Sequence, residues 1–309
     1  MKKMLFIYNP CSGKGLIKEN LSDILNIFCA NGYHVDVRVT QRKLDAKMYV
    51  EKYGFIYDRI VCSGGDGTIN EVITGMMELD EKPLLGYIPA GSTNDFSIGM
   101  KIPKKMVEAA EIAVKGFPVS IDIGGFNNKK FIYIAAFGIF TDVSYMTPQD
   151  LKNVLGHSAY LIEGLKKLTS IKPYHMKITC NGKVIEGDFI YGMITNAVSV
   201  GGFKGITGRS IVLDDGLFEV TLVKTIKNPL ELQGVLTNLI GLDVKSDSII
   251  SIKASRLKIE STEKVPWVID GEYGGSPKKV IIKNYNKSIQ IMSGISKKGP
   301  KNLEIFDKK

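Results

Sequence analysis

Three times in its first hundred residues the chain follows a short apolar run with a turn of small residues and then with helical periodicity. Leu5–Tyr8 runs into Asn9-Pro10-Cys11-Ser12-Gly13-Lys14-Gly15. Ile60–Cys62 runs into Ser63-Gly64-Gly65-Asp66-Gly67-Thr68, and Leu84–Ile88 into Pro89-Ala90-Gly91-Ser92-Thr93-Asn94-Asp95-Phe96. Repeated strand–helix units predict a mostly parallel sheet covered by helices on both faces. In an open α/β sheet such turns lie side by side at the carboxyl edge, where ligands bind.

The intervening segments agree. Leu21, Ile24, Leu25 and Phe28 share one helical face that stops near Asn31-Gly32. Val35, Val37 and Val39 alternate with polar residues as a strand does, and Ala46–Tyr53, Ile69–Met77 and Met106–Lys115 read as helices. From about Ile121 the texture changes. Phe131–Phe137, Phe189–Asn196, Leu217–Val223, Leu257–Ile259, Val265–Ile269, Val280–Ile282 and Ile289–Met292 read as strands, and Asn181-Gly182 is a hairpin signal. Two helical stretches, Ala159–Leu168 and Leu230–Ile240, interrupt them. The fold class is therefore an N-terminal, mostly parallel α/β domain followed by a β-rich one, a division that suits 309 residues.

Several classes are set aside. No run of ~18 apolar residues spans a bilayer, and Met4–Tyr8 is too short for a signal peptide. Cys11, Cys29, Cys62 and Cys180 are far apart, so neither a zinc site nor a disulfide framework is indicated, and a reducing cytoplasm is the simplest setting. His34, His157 and His175 have no metal-ligand spacing. The net charge of +9 calls for an anionic partner. The lysines are scattered without an Arg-rich or aromatic-interleaved motif, which leaves a nucleotide or an acidic membrane surface rather than nucleic acid.

Glycine lets backbone approach a phosphate, and the helix that follows offers free N–H groups at the positive end of its dipole. Each turn also has a plain reading. Asn9–Gly15 is not a Walker A loop and serves equally as an ordinary strand-to-helix turn; Ser92–Asp95 suits a helix cap. Gly64–Thr68 is harder to reduce to a turn, because three glycines around one carboxylate are costly unless phosphate packs on the backbone and the carboxylate faces a metal.

Gly64-Gly65-Asp66-Gly67-Thr68 with Asn70-Glu71-Val72 resembles the nucleotide-binding signature of the diacylglycerol kinase catalytic-domain family of lipid kinases. NAD kinases share the Gly-Gly-Asp-Gly core, so the flanks choose the acceptor. Asn9-Pro10 with Ser12-Gly13 resembles the first lipid-kinase motif, and Gly91-Ser92-Thr93-Asn94-Asp95-Phe96 the family's Gly-Thr-x-Asn-Asp-Phe, with Ser92 in place of Thr. Leu213–Phe218 and Asp270-Gly271-Glu272 resemble later motifs. Val143-Ser144-Tyr145, Thr147-Pro148, Gly156 and Ala159-Tyr160 resemble the soluble branch of Gram-positive bacteria. Ala136–Asp142 departs from the Ala-Gly-x-Gly-x-Asp of many relatives, so the resemblance fixes no shape for the acceptor pocket.

The resemblance implies an ATP- and Mg-dependent lipid kinase, with diacylglycerol as acceptor, acting from the cytoplasm at the inner face of the membrane. It implies an ATP-binding domain over 1–122, an acceptor domain resembling a β-sandwich over 123–288, a C-terminal segment 289–309 that returns to the first domain, an interdomain cleft and a homodimer. Asn9, Pro10, Cys11, Ser12, Gly13, Thr40, Gly64, Gly65, Asp66, Gly67, Thr68, Ile69, Asn70, Glu71 and Ser92 would then meet ATP. Asp66 and Asp95 would orient the active-site metal, and Glu272 would serve as base. Asp215, with the carbonyls of Val212 and Leu217, would hold a second Mg. On the residues alone a turn Asp-Gly suits Asp215 nearly as well, and a surface hairpin Glu is the better reading of Glu272. An NAD kinase and a non-catalytic lipid or nucleotide binder are the competing functions.

Overall fold

A computed structural model of the chain describes residues 1–92, 94–138, 173–197, 199–200, 203–204, 212–226, 228, 231, 234–235 and 247–295. The predicted helix Ala159–Leu168, most of Leu230–Ile240, the motif residues between 139 and 160, Thr93, His157 and the Lys-rich tail from Ser296 lie outside these residues. The chain divides into two units. Of the described residues, one takes in Met1–Ile123, Val212–Asp215 and those from Tyr285 to residue 295; the other takes in those between Gly124 and Asn284 outside Val212–Asp215.

In the first unit, β1 (Lys2–Tyr8), β2 (Tyr33–Val39), β3 (Arg59–Gly64) and β4 (Leu84–Pro89) alternate with α1 (Ile17–Ala30), α2 (Asp45–Tyr53) and α3 (Asp66–Met76). A short α4 (Asp95–Gly99) and α5 (Met106–Lys115) follow β4. The strands run parallel in the order β4-β3-β1-β2, and the end of β17 (Lys279–Ser293) joins beside β4, with Ile291 opposite Leu85. Met4, Leu5, Phe6 and Ile7 are fully buried, as a strand covered on both faces requires. Phe28 on the buried face of α1 meets the Phe6 ring edge-on at 5.4 Å. Gly86 leaves room for α5, since a Cβ there would come within 2.7 Å of Ala113 Cβ. The α5 C-terminus is held by Arg59, whose Nη1 donates to the carbonyls of Ala113 and Val114, a favourable place for a cation.

The second unit is antiparallel. It holds the end of β5 (Phe117–Phe126), β6 (Lys129–Phe131), β7 (Ile134–Gly138), β8 (Tyr174–Cys180), β9 (Lys183–Thr195), β12 (Phe218–Lys224), β13 (Ile249–Ala254), β14 (Arg256–Ser261), β15 (Trp267–Ile269), β16 (Glu272–Gly275) and the start of β17. A two-stranded ribbon of β10 (Ser199–Val200) and β11 (Phe203–Lys204) stands apart. β9 is the hub. Its first half pairs with β8 across the Asn181-Gly182 turn, and its second half lies between β7 and β12. Both turn residues are left-handed, at φ +50° and +71°, as a two-residue hairpin demands. The core is aromatic: Trp267 packs on Phe126 and Phe137 at centroid separations of 5.0 and 4.9 Å.

Two strand expectations are corrected. Phe131–Phe137 is not one strand but β6 and β7, because the Asp270 carboxylate takes the N–H groups of Ile132, Tyr133 and Ile134 at 2.7, 3.0 and 3.0 Å and withdraws them from any ladder. Val280–Ile282 and Ile289–Met292 belong to a single strand, β17. The polar run between them turns at Lys287, which is left-handed (φ +48°), and the Asp122 carboxylate holds that turn by accepting from Lys287 N at 2.7 Å and Asn286 Nδ2 at 3.1 Å. The sequence reading puts residues 212–215 with the second domain. Their contacts group them with the first unit, where the Leu213 carbonyl accepts from Asp122 N at 2.8 Å.

Candidate active site

Strands β1, β3 and β4 are adjacent, so their carboxyl ends bring the three glycine-containing turns together. Hydrogen bonds lace them. Asn9 N donates to Ser63 O at 2.9 Å, Ala90 N to Gly64 O at 2.8 Å, and Gly65 N to Ser12 Oγ at 3.2 Å. The Asn9 side chain accepts from Cys11 N at 2.9 Å, closing an Asx turn, and its Nδ2 lies 3.5 Å from Thr68 Oγ1. Asn9, Ser12, Gly13, Gly64, Gly65 and Thr68 are thus brought together from the first two turns, with the third held beside them at Ala90. Cys11 is exposed on the first of them.

Gly65 caps α3 with extended backbone (φ −86°, ψ −173°), and Asp66, Gly67 and Thr68 make the first helical turn. Such a turn has N–H groups without intrahelical partners, which suit phosphate oxygens. Within α3 the expected residues differ in what they offer. Ile69 is fully buried, so its side chain belongs to the core. The Asn70 Oδ1 is 3.4 Å from Thr74 Oγ1. Glu71 accepts from Leu44 N at 2.8 Å and Ala46 N at 3.3 Å, which fixes the start of α2. Asp45 does the same for Gln41 N and Arg42 N, at 2.8 and 3.0 Å. Between them the two carboxylates shape the loop that begins at Thr40, whose own N–H donates to Tyr8 O at 3.0 Å.

Asp66 and Asp95 start successive short segments of the same edge. Asp66 Oδ2 accepts from Asn94 N at 3.1 Å, whereas Asp66 Oδ1 is buried without a hydrogen-bond partner. Burial, and then the neighbouring Asp95 charge, push the Asp66 carboxyl above its ordinary range despite the amides that stabilise its ionised form. A buried carboxylate oxygen with an open coordination position and a second carboxylate nearby fits a divalent cation. No cluster of three or more His, Cys, Asp or Glu able to hold a metal exists among the described residues. Two carboxylates suit an ion that takes one or two protein carboxylates and fills the rest of its shell with water and phosphate, as Mg does. Ser92 is exposed on the third turn.

Glu272 lies exposed on β16, directly opposite Ile269. Its hairpin turn is Asp270-Gly271, at φ +46° and +81°. The three backbone donors on Asp270 fix that turn, so the position of Glu272 is set by its neighbour. Val212 and Asp215 fall in the first unit, with Asp215 exposed, and Leu217 falls in the second.

Three residues have parts that motif reading did not assign. Asp270 was quoted in the Asp-Gly-Glu motif but given no role of its own. Asn94 sat inside a quoted motif but acts through its left-handed backbone (φ +55°, ψ +46°) and its hydrogen bonds. Tyr87, in the middle of an apolar strand, carried no signal beyond a hydroxyl in a fully buried run.

The comparisons with known proteins cover both units. Residues 3–126 match the model of the diacylglycerol kinase catalytic domain. Residues 136–292 match that of the YegS C-terminal NAD kinase beta sandwich-like domain. The chain is 36% identical to a diacylglycerol kinase of Bacillus subtilis (strain 168) over 89% of its own length and 91% of the relative's. It is 33% identical to one from Staphylococcus haemolyticus (strain JCSC1435) over 97% and 96%. A crystal structure from Bacillus anthracis str. Sterne, put forward as a diacylglycerol kinase, superimposes with a TM-score of 0.79 at 25% identity, covering 94% of this chain and 97% of that one.

Proposed function

Because the chain belongs to the diacylglycerol kinase family, and is therefore a lipid kinase that uses ATP, we propose that its acceptor is the free hydroxyl of diacylglycerol, that Mg is its metal and that the residues above divide the work. The observation that carries the site assignment is the half-satisfied Asp66 carboxylate at the meeting of three glycine turns.

The backbone N–H groups of Gly13, Asp66 and Gly67 bind the phosphate chain, with Ser12 and Thr68 adding hydroxyls. Asp66 and Asp95 hold the metal, directly or through water. When bound, Mg neutralises charge on the phosphates and orients them. In the transfer, the acceptor oxygen bonds to the γ-phosphorus as the bond from that phosphorus to the β,γ-bridging oxygen breaks. ADP departs, and the acceptor's proton passes to Glu272. Asp215, with the carbonyls of Val212 and Leu217, holds a second, structural Mg.

The substrate resides in a bilayer, and among the described residues no helix is long and apolar enough to cross one. The net charge of +9 supports peripheral docking on anionic lipid. The deciding experiment is an acceptor panel with radiolabelled ATP, comparing diacylglycerol, other lipid alcohols and NAD. Labelled phosphatidic acid as the dominant product is expected, and preferential labelling of another acceptor overturns the assignment. Vesicle binding should rise with anionic lipid and fall with salt.

A further inference from the structure

We propose that Tyr87, which lies outside every motif of the sequence, is a positioning residue for the Asp66 carboxylate and acts on it through Asn94. The inference rests on the reading of Asp66 as a metal-orienting group.

Tyr87 is fully buried on β4, against Phe96 of α4 at a centroid separation of 6.0 Å. A buried phenol needs a partner, and this one has two acceptors within reach. Its hydroxyl lies 3.0 Å from Gly64 O, on the second turn, and 3.4 Å from Asn94 Oδ1, on the third. One proton is available to both, so the hydroxyl ties the two turns by donating to either.

Asn94 carries the tie onward. Its side chain closes a ring on Gly91, with Oδ1 accepting from Gly91 N at 2.8 Å and Nδ2 donating to Gly91 O at 2.6 Å. That ring presses the third turn onto the second: a Cβ on Gly91 would lie 2.7 Å from Gly65 Cα. The Asn94 carbonyl accepts from Ser97 Oγ at 2.8 Å, which fixes the start of α4. Held on these sides, Asn94 keeps its left-handed backbone and aims its N–H at Asp66 Oδ2, at 3.1 Å. That bond, beside the amides of Phe96 and Asp95 that also stabilise the carboxylate, occupies Oδ2, while Oδ1 has no hydrogen-bond partner and is left for the metal. Tyr87 thus bears on the metal-facing oxygen without touching metal, nucleotide or acceptor.

The test is calorimetric binding of a non-hydrolysable ATP analogue to the full chain, with and without Mg. The quantity read is the factor by which Mg strengthens binding. Tyr87→Phe keeps the ring and removes the hydroxyl. It should leave metal-free affinity within about twofold of the parent and cut the Mg-dependent factor by about 2- to 10-fold, the worth of one net hydrogen bond. Asn94→Gly keeps the left-handed backbone without the side chain and should cut that factor at least as much. In an Asp66→Asn background, Tyr87→Phe should change nothing further. Equal losses with and without Mg would reduce Tyr87 to a packing residue, and no loss under either condition would remove it altogether. If Asp66→Asn itself leaves the Mg factor intact, the metal reading of Asp66 fails and this proposal with it. If Asp66→Asn abolishes the factor and Tyr87→Phe leaves it intact, only this proposal fails.

Discussion

Gly13 and Ala90 belong to different turns, yet a methyl group built on the Cα of Gly13 would overlap the carbonyl oxygen of Ala90. The first phosphate turn is seated on the third at a place where only backbone fits. Its register there also sets the Ser12 hydroxyl against Gly65 N.

Gly13→Ala and Gly32→Ala should separate close approach from backbone strain. Both glycines are left-handed, at φ +55° and +82°, but a Cβ on Gly32 has nothing within 4 Å. Gly32→Ala should lower stability by about 1 kcal/mol and leave the KM for ATP unchanged. Gly13→Ala should add to that strain a displaced turn, and raise the KM for ATP by about tenfold or more, the effect of ~1.4 kcal/mol or more of lost binding. Indistinguishable kinetics for the two variants would show that the contact is immaterial to the nucleotide.

Asp66→Asn should nearly abolish turnover and yet stabilise the metal-free protein at neutral pH. Burial and Asp95 raise the Asp66 carboxyl above its ordinary value of 3.8. An acid whose folded pKa is raised keeps its proton longer when folded, so stability falls as pH rises from the unfolded value through the folded one. The variant lacks that loss. Its melting temperature should exceed the parent's above this window, and the difference should close as pH falls to about 4. Thermal melts of metal-free protein across pH check it, and a difference independent of pH refutes it.

The parallel unit was largely legible because its strands announce themselves twice, as buried apolar runs and by the helix that follows each. The antiparallel unit was less so. β5 contains Gly124-Gly125 and β16 contains Gly274-Gly275, and neither pair looks like a strand. In β5 the bareness makes room for a ring, since a Cβ on Gly124 would overlap Phe131. The break between β6 and β7 could not be read at all, because its cause, Asp270, lies more than a hundred residues away in sequence. The same holds at the site. Motifs marked Asp66, Asn94 and Asp95, but not that Asn94 N would donate to Asp66 Oδ2 or that the Tyr87 hydroxyl would lie 3.4 Å from Asn94 Oδ1, because these contacts join segments apart in sequence.

Glu272→Gln and Asp270→Ala should both impair turnover, by different routes. Gln keeps the shape of Glu but takes no proton, so kcat should fall by roughly 10²–10⁴-fold, with ATP affinity and melting temperature near the parent's. A kcat within about threefold of the parent, well below the general-base range, would remove Glu272 from the reaction. Asp270→Ala strands three backbone donors in the interior. It should cost about 3 kcal/mol or more of stability, seen as a lowered denaturation midpoint.

Asp215→Ala should leave ATP binding intact and erase the stabilisation that Mg gives without nucleotide. In the parent that stabilisation should grow with the logarithm of Mg concentration once the site is filled. Melting curves over a Mg series distinguish the cases, and an equal Mg-dependent shift in the variant would make Asp215 a turn residue.

The end of β17 lies beside β4, with Ile291 opposite Leu85. For a chain emerging from the ribosome, this sets a schedule. The parallel sheet is synthesised almost whole within the first ninety residues, but one side of β4 waits uncovered until Ile291, about two hundred residues later. A nascent chain stalled before residue 291 carries the glycine turns on a sheet with an open edge. Truncation from the C-terminus should therefore damage ATP binding before it reaches any residue that touches ATP.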